Sequence, residues 1–343
     1  VKLYFLLVML ILPFALYEML TGDHILRNIA RKAMGLGPLI GRPARYGLER
    51  AYGPFEHPIH YGFFCSIALG LTLSMKRSAM GKLSRWGAIA LASFCSMSSG
   101  PILSLMLQNL LKLWDLGTKW MFARWRVLSV IFAMLYAMID LLSNRTPFHV
   151  LVSYGTFRLA SAYNRIHIWN YGSASVAKNP IFGIGLNEWE RAPWMSSSMD
   201  NFWLLAAVRY GLPAFLFLAA ALAVHFFQLS RKTVTGDVAE YRKGWCISLI
   251  AMIIGGCTVH FWTALYCLFF MMLGASAWIL QAEETTASDA SDAADQTVDP
   301  PVGAPVLPGF SRFPKRPVTK APPRARPIYS RNLSFNSNMR SEK

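Results

Sequence analysis

Residues 86–113, WGAIALASFCSMSSGPILSLMLQNLLKL, decide how many times this chain can cross a membrane. Both ends of the stretch are apolar, but the sequence SMSSGP at residues 96–101 interrupts them. A glycine followed by a proline ends a helix or turns the chain back. The stretch therefore predicts two short helices that meet at a turn, rather than one long helix.

The rest of the sequence has the composition of an integral membrane protein. Of the 343 residues, 54% are hydrophobic and only 15% are charged, and the mean hydropathy is +0.34. In a soluble domain, roughly a quarter of the residues would be charged. Further apolar runs that can span a membrane lie at residues 1–19, 58–75, 127–142, 202–228, 245–260 and 261–280. Together with the two short helices, they predict an all-α, polytopic transmembrane helix bundle of about eight passes.

Short basic loops predict which way this bundle faces. Lysine and arginine are concentrated in residues 76–85, 112–126 and 231–243, and loops of this kind stay in the cytoplasm. This orientation places the SSGP turn on the outer face of the membrane. It also places two long loops there, at residues 21–56 and 143–200.

The chain changes character after residue 281. Residues 283–299 are acidic and rich in alanine, serine and threonine, and residues 300–343 are rich in proline with scattered basic side chains. Neither part can bury enough apolar surface to fold. We therefore divide the chain into a transmembrane domain at residues 1–281 and a disordered cytoplasmic tail at residues 282–343.

The motif content argues against several classes of chemistry. The formal net charge is +16, but the basic residues are spread between membrane segments, which argues against nucleic-acid binding. The sequence has no HExxH, no P-loop, no DxD pair and no clustered Cys and His. Its five cysteines lie in apolar runs without CxxC spacing. We therefore expect neither a metal nor another cofactor.

The two outer loops carry more arginine than the positive-inside rule predicts. These arginines are Arg42, Arg45, Arg50, Arg145, Arg158, Arg165 and Arg191. Long loops can cross a membrane regardless of their charge, which is one explanation. The alternative is that the arginines bind an anion.

The first candidate segment is RAYGPFEHPIHYG, residues 50–62, where an arginine, a carboxylate and an imidazole occur close together. Pro58 suits the first turn of a helix, which places Glu56 and His57 at the helix N-terminus. Ionisable groups at membrane depth are costly, and they are functional candidates for that reason. The alternative is an interfacial helix cap, with Arg50 extending to the lipid headgroups.

The second candidate segment is YNRIHIWNYG, residues 163–172, in which aromatic residues alternate with arginine and histidine. This pattern predicts an amphipathic segment on the outer surface. Arg158 precedes Arg165 by seven residues, so the two share a face of a helix. Two guanidiniums on one face can clamp a diphosphate, because each offers a planar pair of donors. Anchoring to lipid headgroups is the alternative.

The third candidate segment is NPIFGIGLNEWERAPWMSSSMDNFWL, residues 179–204. Its Gly183 and Gly185 lack the rest of a nucleotide-binding fingerprint, so we assign them no cofactor. Asp200 and Asn201 directly precede an apolar helix. Asp200 is therefore either the N-cap of that helix or a carboxylate that points into an outward-facing cavity.

These segments resemble the O-antigen ligase/polymerase family of bacterial membrane proteins, which includes exopolysaccharide polymerases. The matching stretches are RAYGPFEHPIHYG at residues 50–62, SSGP at 98–101, NPIFGIG at 179–185 and DNFWLLAAVRYGLP at 200–213. The resemblance covers residues 40–215 and the number of helices. It is carried by the order of the motifs and by their placement on the outer side.

The resemblance implies inverting glycosyl transfer on the periplasmic face of the bacterial inner membrane. The donor would be a polyprenyl-diphosphate-linked oligosaccharide, and the acceptor would be a hydroxyl group of a second glycan or of lipid A–core. Arg50 and Arg165 match arginines of the family, and with Arg158 they would bind the diphosphate and stabilise its growing charge. Neither a metal nor a nucleotide sugar is implied.

The resemblance also points to a catalytic base. Asp200 stands where ligase members of the family often carry a histidine that is a proposed base. This difference favours a polymerase over a lipid A ligase. Glu56 and His57 are rival candidates for the base.

Two other functions remain open at this point. A transporter or flippase for an anionic lipid-linked substrate would use outer arginines equally well. Such a protein should also show an internal repeat and several intramembrane charges. The sequence shows no repeat and few such charges. A non-catalytic assembly subunit would instead recruit partners through the proline-rich tail. Such a subunit would depend on the tail and tolerate loss of the outer arginines.

Overall fold

The computed structural model describes residues 1–35, 37, 41, 43–75, 78–156 and 159–282. In this part of the chain the regular elements are α-helices, and a single isolated bridge pairs Arg45 with Leu48. In chain order the helices are α1 (Lys2–Thr21), α2 (Ile25–Met34), α3 (Pro58–Leu73), α4 (Ala79–Phe94), α5 (Ser99–Gly117), α6 (Arg124–Leu142), α7 (Pro147–Tyr154), α8 (Leu159–Lys178), α9 (Phe202–Arg231), α10 (Gly236–Gly256), α11 (Thr263–Gly274) and α12 (Ala277–Gln281). The predicted all-α class is confirmed. The tail predicted at residues 282–343 lies outside the described residues, except for Ala282.

The described residues include four helical segments that are long and apolar enough to cross a membrane. They are α1, α6, α9 and the segment Thr263–Gln281, which contains α11 and α12. The sixteen-residue α3 is also apolar but is shorter. These segments indicate a membrane protein.

The predicted turn between two helices is confirmed, but it lies at residues 95–98, and Ser99, Gly100 and Pro101 form the first turn of α5. α4 ends at Phe94 and α5 begins at Ser99. α4 begins earlier than the apolar run suggested, at Ala79, because the Ser78 hydroxyl accepts a hydrogen bond from the Gly81 amide at 3.2 Å and caps the helix. Residues 79–85 of the predicted basic loop therefore belong to α4.

α3 lies at the centre of the bundle, where it packs on α4, α5 and α10. It meets α10 at Gly70 and Gly244, and a Cβ atom on Gly70 would lie only 2.7 Å from the Gly244 carbonyl oxygen. Gln108 of α5 bonds to α3 beside this contact: its Oε1 accepts from the Gly70 amide and its Nε2 donates to the Ser66 carbonyl, each at 2.9 Å. The same Oε1 accepts from the Ser248 hydroxyl of α10 at 3.4 Å. Because unpaired polar groups are costly in a bilayer, this network fixes three helices against one another.

The segment predicted as an outer loop at residues 143–200 contains two helices, α7 and α8. The Thr146 side chain caps the start of α7. α8 includes the predicted amphipathic segment at residues 163–172 and packs against α9. At Gly172 the contact is so close that a Cβ atom would lie 2.6 Å from the Leu204 side chain. The predicted loop therefore contains packed helices up to Lys178, and residues 179–200 after them form turns and irregular structure.

α9 is kinked at Gly211, whose φ of 81° and ψ of 171° are not helical. The Gly-Leu-Pro sequence predicted this interruption. Residues 180–185 run beside the kink, and the Ile184 amide donates to the Val208 carbonyl at 2.8 Å. A Cβ atom on Gly183, which has a φ of +65°, would lie 2.6 Å from the same oxygen. Gly183 of the third candidate segment therefore allows a close backbone approach.

A short link at residues 257–262 separates α10 from α11. The sequence predicted the boundary between two spans near residue 260, but the structure ends α10 at Gly256 and begins α11 at Thr263. The link carries His260 and Trp262 to the end of the bundle where α3, α5 and α9 begin.

Candidate functional site

One end of the bundle contains a cavity of about 330 Å³. It is formed by the residues that precede α3, α5 and α9, by α8, and by the link between α10 and α11. Its charged lining residues are Arg45, Arg50, Arg165 and Asp200, and its imidazoles are His57, His60 and His260. Segments that are far apart in the sequence therefore bring three arginines and a carboxylate to one site.

Arg50 is held by the turn before α5 and is only 4% exposed. Its Nε donates to the Ser96 carbonyl oxygen at 3.3 Å, and its Nη2 donates to the Ser98 hydroxyl at 2.7 Å. The Ser96 backbone and the Ser98 side chain therefore have a second role besides forming the turn: they orient a guanidinium at the edge of the cavity.

Glu18 of α1 fixes the backbone that carries Arg50. This carboxylate is completely buried, and its Oε2 accepts hydrogen bonds from the Tyr52 amide at 2.7 Å and the Gly53 amide at 2.9 Å. On the other side, the Ala51 amide donates to the Cys95 carbonyl at 2.9 Å. The segment next to Arg50 is thus held between α1 and the turn after α4.

Arg165 reaches the cavity from α8 and is 9% exposed. Its Nε donates to the Thr258 carbonyl at 3.0 Å, and its Nη1 donates to the Thr156 hydroxyl at 3.1 Å. Burial lowers the pKa of Arg165, the Asp200 carboxylate raises it, and Arg45 lowers it further. Since arginine stays protonated in proteins, the cavity holds a desolvated cation near a carboxylate.

Arg45 also lines the cavity, and its Nη1 donates to the Met97 carbonyl oxygen. The sequence pointed to Arg45 only as one of several outer arginines. The charged lining groups are three guanidiniums and one carboxylate, which gives a formal charge of +2 while the imidazoles are neutral. A concave site with this balance favours an anionic ligand.

Asp200 and Asn201 have different positions at the start of α9. Asn201 is the N-cap: its Oδ1 accepts a hydrogen bond from the Leu204 amide at 2.9 Å. Asp200 precedes the cap and lines the cavity. The sequence left open whether Asp200 caps this helix, and in the structure Asn201 occupies that position. Asp200 is therefore placed to interact with a ligand in the cavity.

His57 lines the cavity but also caps α3. Its Nδ1 accepts a hydrogen bond from the Ile59 amide at 3.2 Å, which requires Nδ1 to be unprotonated. The neutral ring then carries its proton on Nε2. To accept another proton His57 must break the cap, so the role of base suits His57 less well than Asp200.

Three imidazoles surround the indole of Trp262 at the edge of the cavity. The ring centroids of His57, His60 and His260 lie 6.3, 5.1 and 5.9 Å from that of Trp262. His60 Nε2 lies 3.0 Å from the His260 carbonyl oxygen and donates to it. Burial lowers the pKa of His260 to about 4, and His60 and Arg209 contribute to the shift. His260 is therefore neutral near pH 7.

The predicted site residues divide into three groups. Four of them line the cavity: Arg50, His57, Arg165 and Asp200. Glu56 is exposed, and the structure does not bring it to the cavity. Arg158 lies outside the described residues, so its pairing with Arg165 stays a prediction.

Sequence reasoning missed several lining residues. His60 lies inside the first candidate segment but was given no role, and Ser98 was interpreted only as part of a turn. His260 and Trp262 were placed inside two adjoining predicted spans, at residues 245–260 and 261–280. A histidine at the point where two apolar runs meet was the signal that could have identified the link.

The described residues contain no group of three or more His, Cys, Asp and Glu side chains that could hold a metal ion. The polar groups of the cavity are mainly donors from arginine, serine and imidazole. The cavity therefore suits an anion with several oxygen acceptors better than a cation.

A scan of the sequence against models of protein families and a search of curated proteins both found no match. The geometry of the cavity and the motifs quoted above therefore carry the functional argument.

Proposed function

We propose that this protein is a membrane glycosyltransferase that polymerises or ligates polyprenyl-diphosphate-linked glycans on the extracytoplasmic face of the bacterial inner membrane. The observation that carries the proposal is the meeting of Arg50, Arg165 and Asp200 in one cavity. The motif resemblance to the O-antigen ligase/polymerase family supports the same conclusion. A polymerase is favoured over a lipid A–core ligase, because the start of α9 has Asp200 where ligases often have histidine.

The arginines would bind the diphosphate of the donor. As the bond between the anomeric carbon and the diphosphate oxygen breaks, the leaving group takes the electron pair and gains negative charge. Arg50 and Arg165 are already oriented by Ser96, Ser98 and Thr258, so they can stabilise this charge with little reorganisation. Guanidiniums would thus supply the electrostatic stabilisation of the leaving group.

Asp200 would act as the base. Its carboxylate accepts the proton of the acceptor hydroxyl while that oxygen forms a bond to the anomeric carbon. Attack on the face opposite the leaving diphosphate inverts the anomeric configuration. Trp262 and the imidazoles around it offer an aromatic surface and hydrogen-bonding groups for a sugar ring.

The proposed topology has eight passes. The four long apolar segments would be joined in the membrane by α3, α4, α5 and α10, which pack together in the interior of the bundle. The short basic loops lie at the ends of α4, α5 and α10 that are remote from the cavity. If these loops face the cytoplasm, the cavity faces the periplasm.

Reconstituted enzyme would test the proposal. Purified protein is incubated with a polyprenyl-diphosphate oligosaccharide, with or without lipid A–core, and chain growth, transfer and release of polyprenyl diphosphate are measured. We expect Arg50→Ala and Arg165→Ala each to lower the rate by about a hundredfold or more. Arg191→Ala is the control, because this outer arginine pairs with Glu188 and does not line the cavity.

Three results would contradict the proposal. One is full activity in both cavity variants, provided that they insert and fold normally. Another is movement of the lipid-linked donor across the bilayer without formation of a glycosidic bond, which would identify a transporter. A third is normal polymer formation in cells that carry Arg50→Ala or Arg165→Ala, combined with loss of polymer when residues 282–343 are removed. That combination would identify an assembly subunit.

A further inference from the structure

A second cavity, of about 910 Å³, lies at the opposite end of the bundle from the candidate site. We call it the inner groove. Its walls are apolar and come from α5, α6, α9 and α10, with Leu128 and Phe132 on one side and Phe226, Ile250 and Ile254 on the other. None of the residues that line it belongs to the candidate site.

The inner groove exists because α6 is attached to the bundle near its first turn. Arg124 Nη2 pairs with Asp115 Oδ1 at 2.7 Å, and Trp114 Nε1 donates to the Arg124 carbonyl at 3.2 Å. Beyond this attachment no residue of α6 is buried against the rest of the protein. The helix is long and apolar enough to cross a membrane, so the apolar walls of the groove lie at the depth of lipid acyl chains.

Basic side chains line the polar end of the inner groove. They are Lys119, Arg124, Arg242 and Lys243. Asp115 pairs with Arg124 at 2.7 Å and with Lys243 at 3.8 Å, and Glu240 also pairs with Lys243, at 2.7 Å.

The other two cations are not neutralised in this way. Arg242 Nη1 donates to the carbonyl oxygens of Leu229 and Lys232 at the end of α9. Neither acceptor is charged, so the guanidinium keeps its positive charge. Lys119 is exposed, and among the described residues it has no carboxylate within ion-pair distance. The polar end of the groove therefore keeps an excess of positive charge.

We propose that the inner groove binds an anionic glycerophospholipid of the bilayer. The phosphate lies against Lys119 and Arg242, and an acyl chain runs along the groove between α6 and the α9–α10 pair. The groove fits an amphipathic ligand of this kind because its walls are apolar and its polar end is cationic. A zwitterionic lipid presents its own cation to the same basic residues, and a free phosphate ion cannot use the apolar walls.

The positive-inside rule assigns this end of the bundle to the cytoplasmic leaflet, whose anionic lipids attract basic segments there. The proposal is independent of the glycosyltransferase reaction, since it rests on a different cavity and on binding alone.

Lipid binding to the purified full chain provides the test. The protein is delipidated in detergent and titrated with phosphatidylglycerol or with phosphatidylcholine of the same acyl chains, and bound lipid is counted by native mass spectrometry. We expect phosphatidylglycerol to bind more tightly, and Lys119→Gln to weaken its binding about fivefold, since one basic residue near an anionic lipid contributes about 1 kcal/mol. Lys32→Gln, at an exposed lysine of α2, is the control and should bind as the wild type does.

A second pair of variants tests the position of the acyl chain. Ser129→Trp places a bulky side chain at the groove, whereas Val130→Trp changes the neighbouring exposed position of α6, which does not line it. We expect only Ser129→Trp to abolish tight binding, with both variants folding normally because this part of α6 is not packed. Equal binding of phosphatidylglycerol and phosphatidylcholine would overturn the proposal. So would full displacement of bound phosphatidylglycerol by inorganic phosphate alone, or binding by Ser129→Trp as tight as that of the wild type.

Discussion

Replacing Glu18 tests how the arginine site is built, because Glu18 lies outside the cavity yet holds the segment beside Arg50. Glu18→Ala removes the acceptor of two buried amides, those of Tyr52 and Gly53. A buried donor that loses its partner costs about 1–3 kcal/mol. We therefore expect Glu18→Ala to lower the free energy of unfolding by about 2–6 kcal/mol, a large fraction of the stability of a typical protein.

Glu18→Gln separates the charge of this side chain from its role as an acceptor. The amide oxygen of glutamine can still accept from both backbone groups, but these bonds lose the strength that an ionised acceptor gives. We expect a smaller loss of stability, about 1–2 kcal/mol. If Arg50 is displaced by about 1 Å in Glu18→Ala, the rate of glycosyl transfer should fall by up to about a hundredfold.

Thermal and chemical unfolding in detergent, together with the transfer assay, provide the measurements. Glu56→Ala is the matched control, because this carboxylate belongs to the same segment but is exposed and does not line the cavity. Its stability should change by less than about 0.5 kcal/mol. The reasoning would be refuted if Glu18→Ala were as stable as Glu56→Ala, or if it unfolded more easily but retained full activity when folded.

Three further predictions concern other parts of the chain. Gly211→Ala should destabilise the fold by more than about 2 kcal/mol, because φ is positive and a Cβ atom would lie 2.0 Å from a backbone carbonyl oxygen. Gly87 has open space around it, so Gly87→Ala should be tolerated, and equal unfolding midpoints of the two variants would contradict this reasoning. Asn201→Ala should cost about 1 kcal/mol of stability through loss of the cap but still allow the proposed transfer. Asp200→Asn should abolish the proposed transfer in protein that inserts and folds, and full transfer by folded Asp200→Asn would contradict its role as the base. The pKa of His260 is about 4 when folded, below its usual value when unfolded, so its contribution to stability is complete above about pH 6.5 and is lost as the pH falls towards 4. Because His260 is partly exposed, we expect this contribution to be about 1–2 kcal/mol, and His260→Gln should flatten the stability curve over that range; an unchanged curve would contradict the assignment.

The parts of the fold that the sequence predicted are those with strong local signals. Gly100 and Pro101 marked the turn between α4 and α5, and Gly211 with Pro213 marked the kink in α9. Glycine and proline change the backbone energies of their own residues, so their effect does not depend on distant contacts. Local sequence signals predicted α7 and α8 less well. The stability of these helices comes largely from packing against neighbouring helices, which a local pattern does not show.

The candidate site was only partly predictable for the same reason. Arg50, Arg165 and Asp200 lie in segments whose polar residues were conspicuous beside apolar helices. Glu18 was missed because it lies inside an apolar run, and its two bonds join residues more than thirty positions apart. His260 was missed because its position in a link depended on where α10 ends, and helix boundaries are the least predictable feature of a sequence.

The arginines of the cavity are oriented by backbone carbonyl oxygens, and this arrangement is an argument for function. Arg45, Arg50 and Arg165 each donate to such an oxygen, which fixes the direction of the guanidinium. Two of these carbonyl groups lie in the turn before α5 and the third lies in the link after α10, so distant parts of the sequence set the positions of these donors. Because the donors are in place before a ligand binds, they can stabilise developing negative charge on that ligand with little reorganisation.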